Sequence, residues 1–419
     1  MTATGLSHTT LDLIQNRATL LGLVLALFIV GCSKDAVPTA APIDTTANIN
    51  LGSPQQVIRG FGGVNMPGWI PDMTVDQVNK AFGSGDGQIG MTILRIRVPF
   101  DPAQFHLEVP TAQRAIALGA RMIASPWTPP PLMKSNNNIV GGTLNTASYA
   151  AYAAHLKAFA DTLARNGVPL HAISVQNEPD VTVTYESYDW NASQMLAFVK
   201  NNAPTIGVNI LVPESYNFNH TISDAILNDP AAAANVAIIG GHIYGGGITS
   251  YPLAVSKGRE VWMTEHLETS TDWTGALFTA KEIHDCMNAG MNAYLWWYIR
   301  RFYGPIDDSS NVTKWGYVIS QYARFVRPGF TRVGATAYPR NHIYVTAYRN
   351  GSNVVIVVVN HGSPSVNQTF TVRNGTVTAF TPYVTSSTKD CVQEADIAVS
   401  DGVFTASLDR ESVTTLVSN

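Results

Sequence analysis

What this 419-residue chain has little of narrows it first. Asp, Glu, Lys and Arg make up only 13% of it, and the formal net charge is −4. That is about half the usual charged share. Without a basic field there is nothing to hold a phosphate backbone, so nucleic acid is excluded as a partner. The three cysteines, Cys32, Cys286 and Cys391, are too few and too scattered for a disulfide framework. Cys286 falls in a helix-like stretch and Cys391 in a distant β region, so a bridge between them is not favoured. No HExxH motif or comparable ligand spacing occurs, so neither metal nor cofactor is expected. Internal repeats and low-complexity segments are also absent. Polarity must come from Asn, Ser, Thr, Gln and Tyr, which suits a secreted protein working on a large neutral or weakly acidic polymer.

Long hydrophobic runs are equally scarce. The run Ala18 to Gly31 follows Arg17 and spans 14 residues, short of the roughly 20 a membrane span needs. It ends Ile29-Val30-Gly31-Cys32, which resembles a bacterial lipobox with Cys32 as the lipidated residue. Residues 1–32 are therefore read as a lipoprotein-type signal and 33–45 as a tether, outside the fold proper. An ordinary signal peptide and a transmembrane anchor are the alternatives. The expected location is secreted or cell-surface, with membrane contact only through the lipid at Cys32.

Eight apolar, β-branched-rich runs follow: VIRGFGGVN, MTILRIRVP, ARMIASPW, HAISVQNEP, NILVPES, VAIIGGHIY, EVWMTEH and AYLWWYIRR. Near-continuous hydrophobicity marks parallel strands covered on both faces. Helix-like stretches lie between them, such as YAAYAAHLKAFADTLARNG, ending at Gly167, and FTAKEIHDCMNAG, ending at Gly290. This alternation predicts an α/β fold, a (β/α)8 TIM barrel over residues 53–328. Beyond it, Asn-Gly and Asp-Gly turns separate short strands, predicting a β-sandwich side domain over 329–419. All eight Trp lie between Trp69 and Trp315, so sugar-stacking platforms would belong to the barrel.

Two carboxylates end apolar strands: Glu178 in HAISVQNEPD and Glu265 in REVWMTEH. They are close to three βα units apart, at roughly 30 residues each, and a barrel brings such strand ends to one face. A facing carboxyl pair is the equipment for breaking a glycosidic bond. One carboxyl must hold a proton for the leaving oxygen, and the other must be ionised to attack. Asn177, beside Glu178, can hold the 2-hydroxyl of the reacting sugar. Trp69 and Trp127 are candidate platforms for the apolar faces of pyranoses. Tyr244 can hydrogen-bond Glu265 or the sugar, with His242 and Arg95 as weaker supporting candidates. His266 reads as a packed histidine, with a supporting role beside Glu265 as the alternative.

Together GFGGVNMPGW, ASPWTPPPLMK, SVQNEPD, GGHIYG, WMTEH and WWYIRRFYGP resemble glycoside hydrolase family 30, within it the subfamily 8 bacterial glucuronoxylan xylanases. The resemblance runs from about residue 47 to the C-terminus. It implies a retaining mechanism with Glu178 as acid/base and Glu265 as nucleophile. It also implies that the side domain takes a strand from before the barrel, within residues 46–52. Trp297, Arg301 and Tyr303 match residues that hold a glucuronic acid branch, and Ser270 matches the branch-binding loop. Arg300 is left as structural. Where the family usually has Tyr two residues past the nucleophile, this chain has Leu267; recognition of the branch is then either weaker or supplied by Trp273 from the same loop. The implied activity is that of a monomeric endo-β-1,4-xylanase acting on glucuronoxylan. The alternatives are a family 30 β-1,6-glucanase or glucosylceramidase-like enzyme, a xylanase indifferent to glucuronate, or a non-catalytic glycan-binding lipoprotein.

Overall fold

The computed structural model describes residues 45–419. The expected signal segment, Cys32 and the expected tether up to residue 44 lie outside the described residues. The first strand, β1 (Ala47–Val57), precedes a closed barrel of eight parallel strands. These are β2 (Gly60–Val64), β3 (Ile93–Val98), β4 (Arg121–Pro126), β5 (Leu170–Ser174), β6 (Asn209–Ser215), β7 (Val236–His242), β8 (Glu260–Glu265) and β9 (Ala293–Tyr298). Each falls inside one of the eight apolar runs, except that β5 starts one residue before its run, and β9 pairs back to β2 to close the ring.

A barrel of eight strands is just wide enough to be filled by its own side chains. Ile93, Ile123, Ala172, Leu211, Ile238, Trp262 and Leu295 form that filling and are all buried. Gly62 lets β2 run tight against β3: a Cβ there would sit 2.0 Å from the Ile93 carbonyl oxygen. Helices cover the outside. In the helix Tyr149–Arg165, Tyr152, Leu156, Phe159 and Leu163 form one buried stripe. The chain leaves it through Gly167 at φ 75°, a left-handed position that suits glycine.

The remaining strands are β10 (Thr331–Ala335), β11 (Ile343–Asn350), β12 (Asn353–Asn360), β13 (Val366–Arg373), β14 (Ala379–Thr385), β15 (Val392–Gln393), β16 (Ile397–Ala398), β17 (Val403–Leu408) and β18 (Ser412–Ser418). With β1 they form a single mixed sheet of ten strands. Strand β1 pairs antiparallel with β10 and parallel with β13, and it buries alternate residues Ala47, Ile49 and Leu51 in the side-domain core. The two layers of the expected sandwich are one sheet curled over. Phe380 of β14 and Phe404 of β17 come from far-apart places in the strand order, yet their rings meet at 4.8 Å. The domain is docked on the barrel by apolar packing, with Val355, Val357, Val359 and Val413 buried in the barrel's core cluster, and by polar contacts: Gln321 donates to Thr385 at 2.7 Å, and the Trp273 indole to the Glu411 carbonyl at 2.9 Å. Cys286 and Cys391 are both buried and unpaired.

Candidate active site

Glu265 is the last residue of β8, and Glu178 stands just past β5. The backbone at Glu178 is left-handed, with φ 48°. A residue with a Cβ keeps that conformation only when its surroundings enforce it. Here the Glu178 amide donates to the Glu214 carbonyl at 3.0 Å, which anchors the turn to the end of β6. Both residues are 5% exposed. A carboxylate oxygen of Glu178, a ring nitrogen of His242 and a carboxylate oxygen of Glu265 all lie within 4.8 Å of one another.

Arg95, on β3 and fully buried, is the hub beneath them. Nη1 donates to Glu265 Oε2 at 2.6 Å, Nη2 to Asn177 Oδ1 at 2.7 Å and Nε to Ser125 at 3.0 Å. Nη2 also lies 3.1 Å from Glu214 Oε1. Because Arg95 occupies the Asn177 carbonyl, the Asn177 amide N–H groups remain for a ligand. The Tyr244 hydroxyl donates to Glu265 Oε1 at 2.9 Å, so one guanidinium and one phenol grip both Glu265 oxygens. Burial pushes the Glu265 carboxyl upward, against the pull of the His242 and Arg95 charges.

Glu178 is held differently. His242 Nδ1 lies 2.9 Å from Oε1, and the Tyr185 hydroxyl donates to Oε2 at 3.1 Å. Burial alone would lower the His242 imidazole. The charge of Glu265, with Glu178 and Glu214 beside it, instead raises it to about 9. Burial would likewise raise Glu214, but Arg95 and then His242 bring it down to about 2.

Above the carboxyls Trp69, Trp127, Trp297, Tyr185, Tyr216 and Tyr244 line an open pocket, with Leu267 among them. Trp127 is the floor, its ring 5.5 Å from that of Trp69 and 5.9 Å from that of Trp297. The Arg95 guanidinium lies 4.9 Å from the Trp127 ring, and that of Arg97 5.4 Å from the Trp69 ring. Arg97 is itself fixed by a forked contact with Glu186, 2.6 Å at its shortest. Rigid indole faces around a carboxyl pair match the apolar faces and the scissile oxygen of a sugar chain.

The other expected residues divide. Arg300 pairs with Asp308 at 2.9 Å and donates to the Pro71 carbonyl at 2.8 Å. Arg301 has no acidic partner among the described residues and lies beside Tyr298 and Tyr303. Tyr303 packs with Trp297 and Tyr298 in the cluster under the pocket. The Ser270 hydroxyl donates to Asp272, which caps the helix Trp273–Asn288. His266 contacts Glu282 at 2.9 Å, and its ring lies 5.1 Å from that of Tyr244. Trp273 is not a replacement for the missing tyrosine. Its indole N–H is committed to Glu411 and its ring sits near Lys314, so it serves the domain junction.

Sequence reasoning missed four features: Glu214, Tyr185, Tyr216 and the Arg97–Glu186 pair. Glu214 carried a usable signal, because it ends an apolar run as Glu178 and Glu265 do. Tyr185 and Tyr216 sit in irregular loops, where no periodicity marks them.

Residues 97–257 match the model of the glycosyl hydrolase family 30 TIM-barrel domain. The chain is 42% identical over 386 residues to glucuronoxylanase XynC of Bacillus subtilis, covering 88% of this chain and 91% of that protein. Among solved structures it is similar to the family 30 subfamily 8 xylanase Xyn30A of Clostridium acetobutylicum, with TM-score 0.85 and 39% identity over 90% of this chain and 100% of that one. It is also similar to a family 30 endoxylanase of Clostridium papyrosolvens, with TM-score 0.83 and 38% identity over 89% of this chain and 100% of that one. With the barrel, the curled side sheet and the carboxyl pair, this likeness over nearly the whole described chain has one meaning: the protein belongs to glycoside hydrolase family 30.

Proposed function

We propose that this protein is a retaining endo-β-1,4-xylanase that hydrolyses glucuronoxylan, with Glu265 as nucleophile and Glu178 as acid/base. The carrying observation is the approach of the two carboxylates, whose oxygens come within 4.8 Å. Retaining pairs stand about 5–5.5 Å apart, whereas inverting pairs need 6.5–9.5 Å to seat a water between them. Glu265 attacks the anomeric carbon while Glu178 protonates the departing glycosidic oxygen, leaving a xylosyl ester on Glu265. Glu178, now ionised, takes a proton from the water that displaces the ester. Asn177 offers its amide to the 2-hydroxyl of the reacting xylose, a contact that strengthens as the oxocarbenium develops.

The Bacillus relatives are glucuronoxylanases by name, and the Arg301 guanidinium, which touches Tyr303 but has no acidic partner among the described residues, supports the same substrate here. A planar fork grips a carboxylate through two parallel hydrogen bonds, which a lysine cannot copy. Leu267 offers no hydroxyl, so the branch is held by Arg301 with Trp297 and Tyr303. Residues 1–32 are read as a lipoprotein signal that would tether the monomeric enzyme to the cell surface through Cys32. The test of the substrate is mass spectrometry of products from glucuronoxylan. Each product should carry one glucuronate at a fixed distance from its reducing end; products with random branch positions would refute the role of Arg301.

A further inference from the structure

A third carboxylate lies beneath the pair. Glu214, at the end of β6, is completely buried, and neither of its oxygens accepts a conventional hydrogen bond among the described residues. Charge holds it instead: Oε1 lies 3.1 Å from Arg95 Nη2 and 3.9 Å from His242 Nε2. Its backbone is left-handed, with φ 58°, and its carbonyl receives the Glu178 amide. A buried anion in an enforced backbone conformation is costly, and neither step of sugar cleavage uses it directly.

We propose that Glu214 is a positioning residue that keeps His242 doubly protonated, so that the acid proton of Glu178 stays on the oxygen facing the leaving group. This rests on Glu178 being the acid/base. The groups facing His242 are Glu178 from the turn after β5, Glu214 from β6, Glu265 from β8 and the Tyr244 ring, with Arg95 of β3 bound to both Glu214 and Glu265. The Ser174 hydroxyl of β5 faces Glu214. As an imidazolium, His242 can only donate from Nδ1 to Glu178 Oε1, 2.9 Å away. The carboxylic proton is then confined to Oε2, on the pocket side beside Tyr185. A neutral ring with its hydrogen on Nε2 would reverse this. Nε2 faces Glu214 at 3.9 Å and Glu265 at 3.8 Å, so that tautomer is the favoured neutral one. It would make Nδ1 an acceptor and draw the Glu178 proton inward, away from the substrate.

Charge balance supports the assignment through both steps. Before attack, Arg95 and His242 are positive, Glu214 and Glu265 negative, and Glu178 carries a proton; the cluster is neutral. Attack turns Glu265 into an uncharged ester while Glu178 gives up its proton and becomes the second anion. The cluster is neutral again, and Glu214 is the one carboxylate of the three that keeps its charge throughout.

Glu214→Gln tests this by removing the charge while keeping the shape. A cluster with one anion fewer holds its last proton less tightly, whichever atom bears it. The alkaline limb of kcat/KM on glucuronoxylan should therefore move about one pH unit toward acid, a tenfold weaker hold on that proton. Glu214→Asp, which keeps the charge, should restore the limb. A uniform loss of rate with the limb unmoved, or a limb moved toward alkali, would overturn the proposal and leave Glu214 a structural residue. A second measurement needs no turnover and no Glu214 variant. In ¹⁵N-histidine-labelled native enzyme, the ring signals absent from His242→Gln should report both nitrogens protonated at pH 7; a neutral ring there would overturn the proposal. Full activity in Glu178→Gln would instead sink the acid/base reading and leave the His242 result standing.

Discussion

Arg301→Ala separates substrate recognition from support of the strand end. The neighbouring guanidinium of Arg300 is spent on Asp308 and the Pro71 carbonyl, whereas Arg301 has no carboxylate within salt-bridge distance among the described residues. Its removal leaves no acid unpaired, and Tyr298 and Tyr303 still pack with Trp297 and Trp127. Stability should change by no more than about 0.5 kcal/mol. What is lost is a charge-assisted contact to the branch carboxylate, about 1.5–3 kcal/mol. That converts to roughly 10- to 150-fold in kcat/KM. The assay compares initial rates on glucuronoxylan and on the same polymer with its carboxyls reduced to primary alcohols. The variant should lose activity on the first polymer and nothing further on the second, while the native enzyme loses a similar factor between the two. Equal loss by the variant on both polymers would refute the reasoning.

Three further outcomes follow from the site and the leader. Arg95→Met leaves Glu214 and Glu265 buried without their shared cation and should cost about 3–5 kcal/mol in urea unfolding; a change below about 1 kcal/mol would contradict the hub role. His242, at about 9 in the folded protein against about 6.5 in an unfolded chain, lends stability that is complete below pH about 6.5. That stability disappears as pH rises through 9, so the thermal midpoint of the native protein should fall across this window and that of His242→Gln should not. Cys32→Ala should abolish incorporation of labelled palmitate and move the protein from the membrane fraction to the soluble one; unchanged membrane retention would exclude lipidation at Cys32.

The barrel was legible because parallel strands buried on both faces must be written as continuous apolar runs, and all eight were. Glu178 and Glu265 were legible for a related reason: a charged residue closing such a run has to emerge at the strand end. Glu214 closes NILVPES in the same way, but nothing in its neighbourhood distinguishes a buried partner of Arg95 from an exposed terminal glutamate. That distinction depends on Arg95, over a hundred residues earlier, and pairings across a barrel leave no local pattern. The exchange of β1 into the side sheet came from the family resemblance alone, since a strand carries no record of which sheet it joins. The side domain's sandwich was legible in its short alternating strands, but that its two layers are one sheet curled over was not, because alternation records a buried face without recording whether the facing layer is a second sheet or the same one returning. Trp273 stood as one of two alternatives for want of the same information: its loop position was visible, but its commitment to the Glu411 carbonyl was not.

The most direct test of the central claim is to trap the covalent intermediate. An activated 2-deoxy-2-fluoro-β-xylobioside should inactivate the enzyme with one label per molecule, and peptide mapping should find that label on Glu265. Label on Glu178 or Glu214, or rapid turnover through an inverted first product with no label at all, would contradict the account.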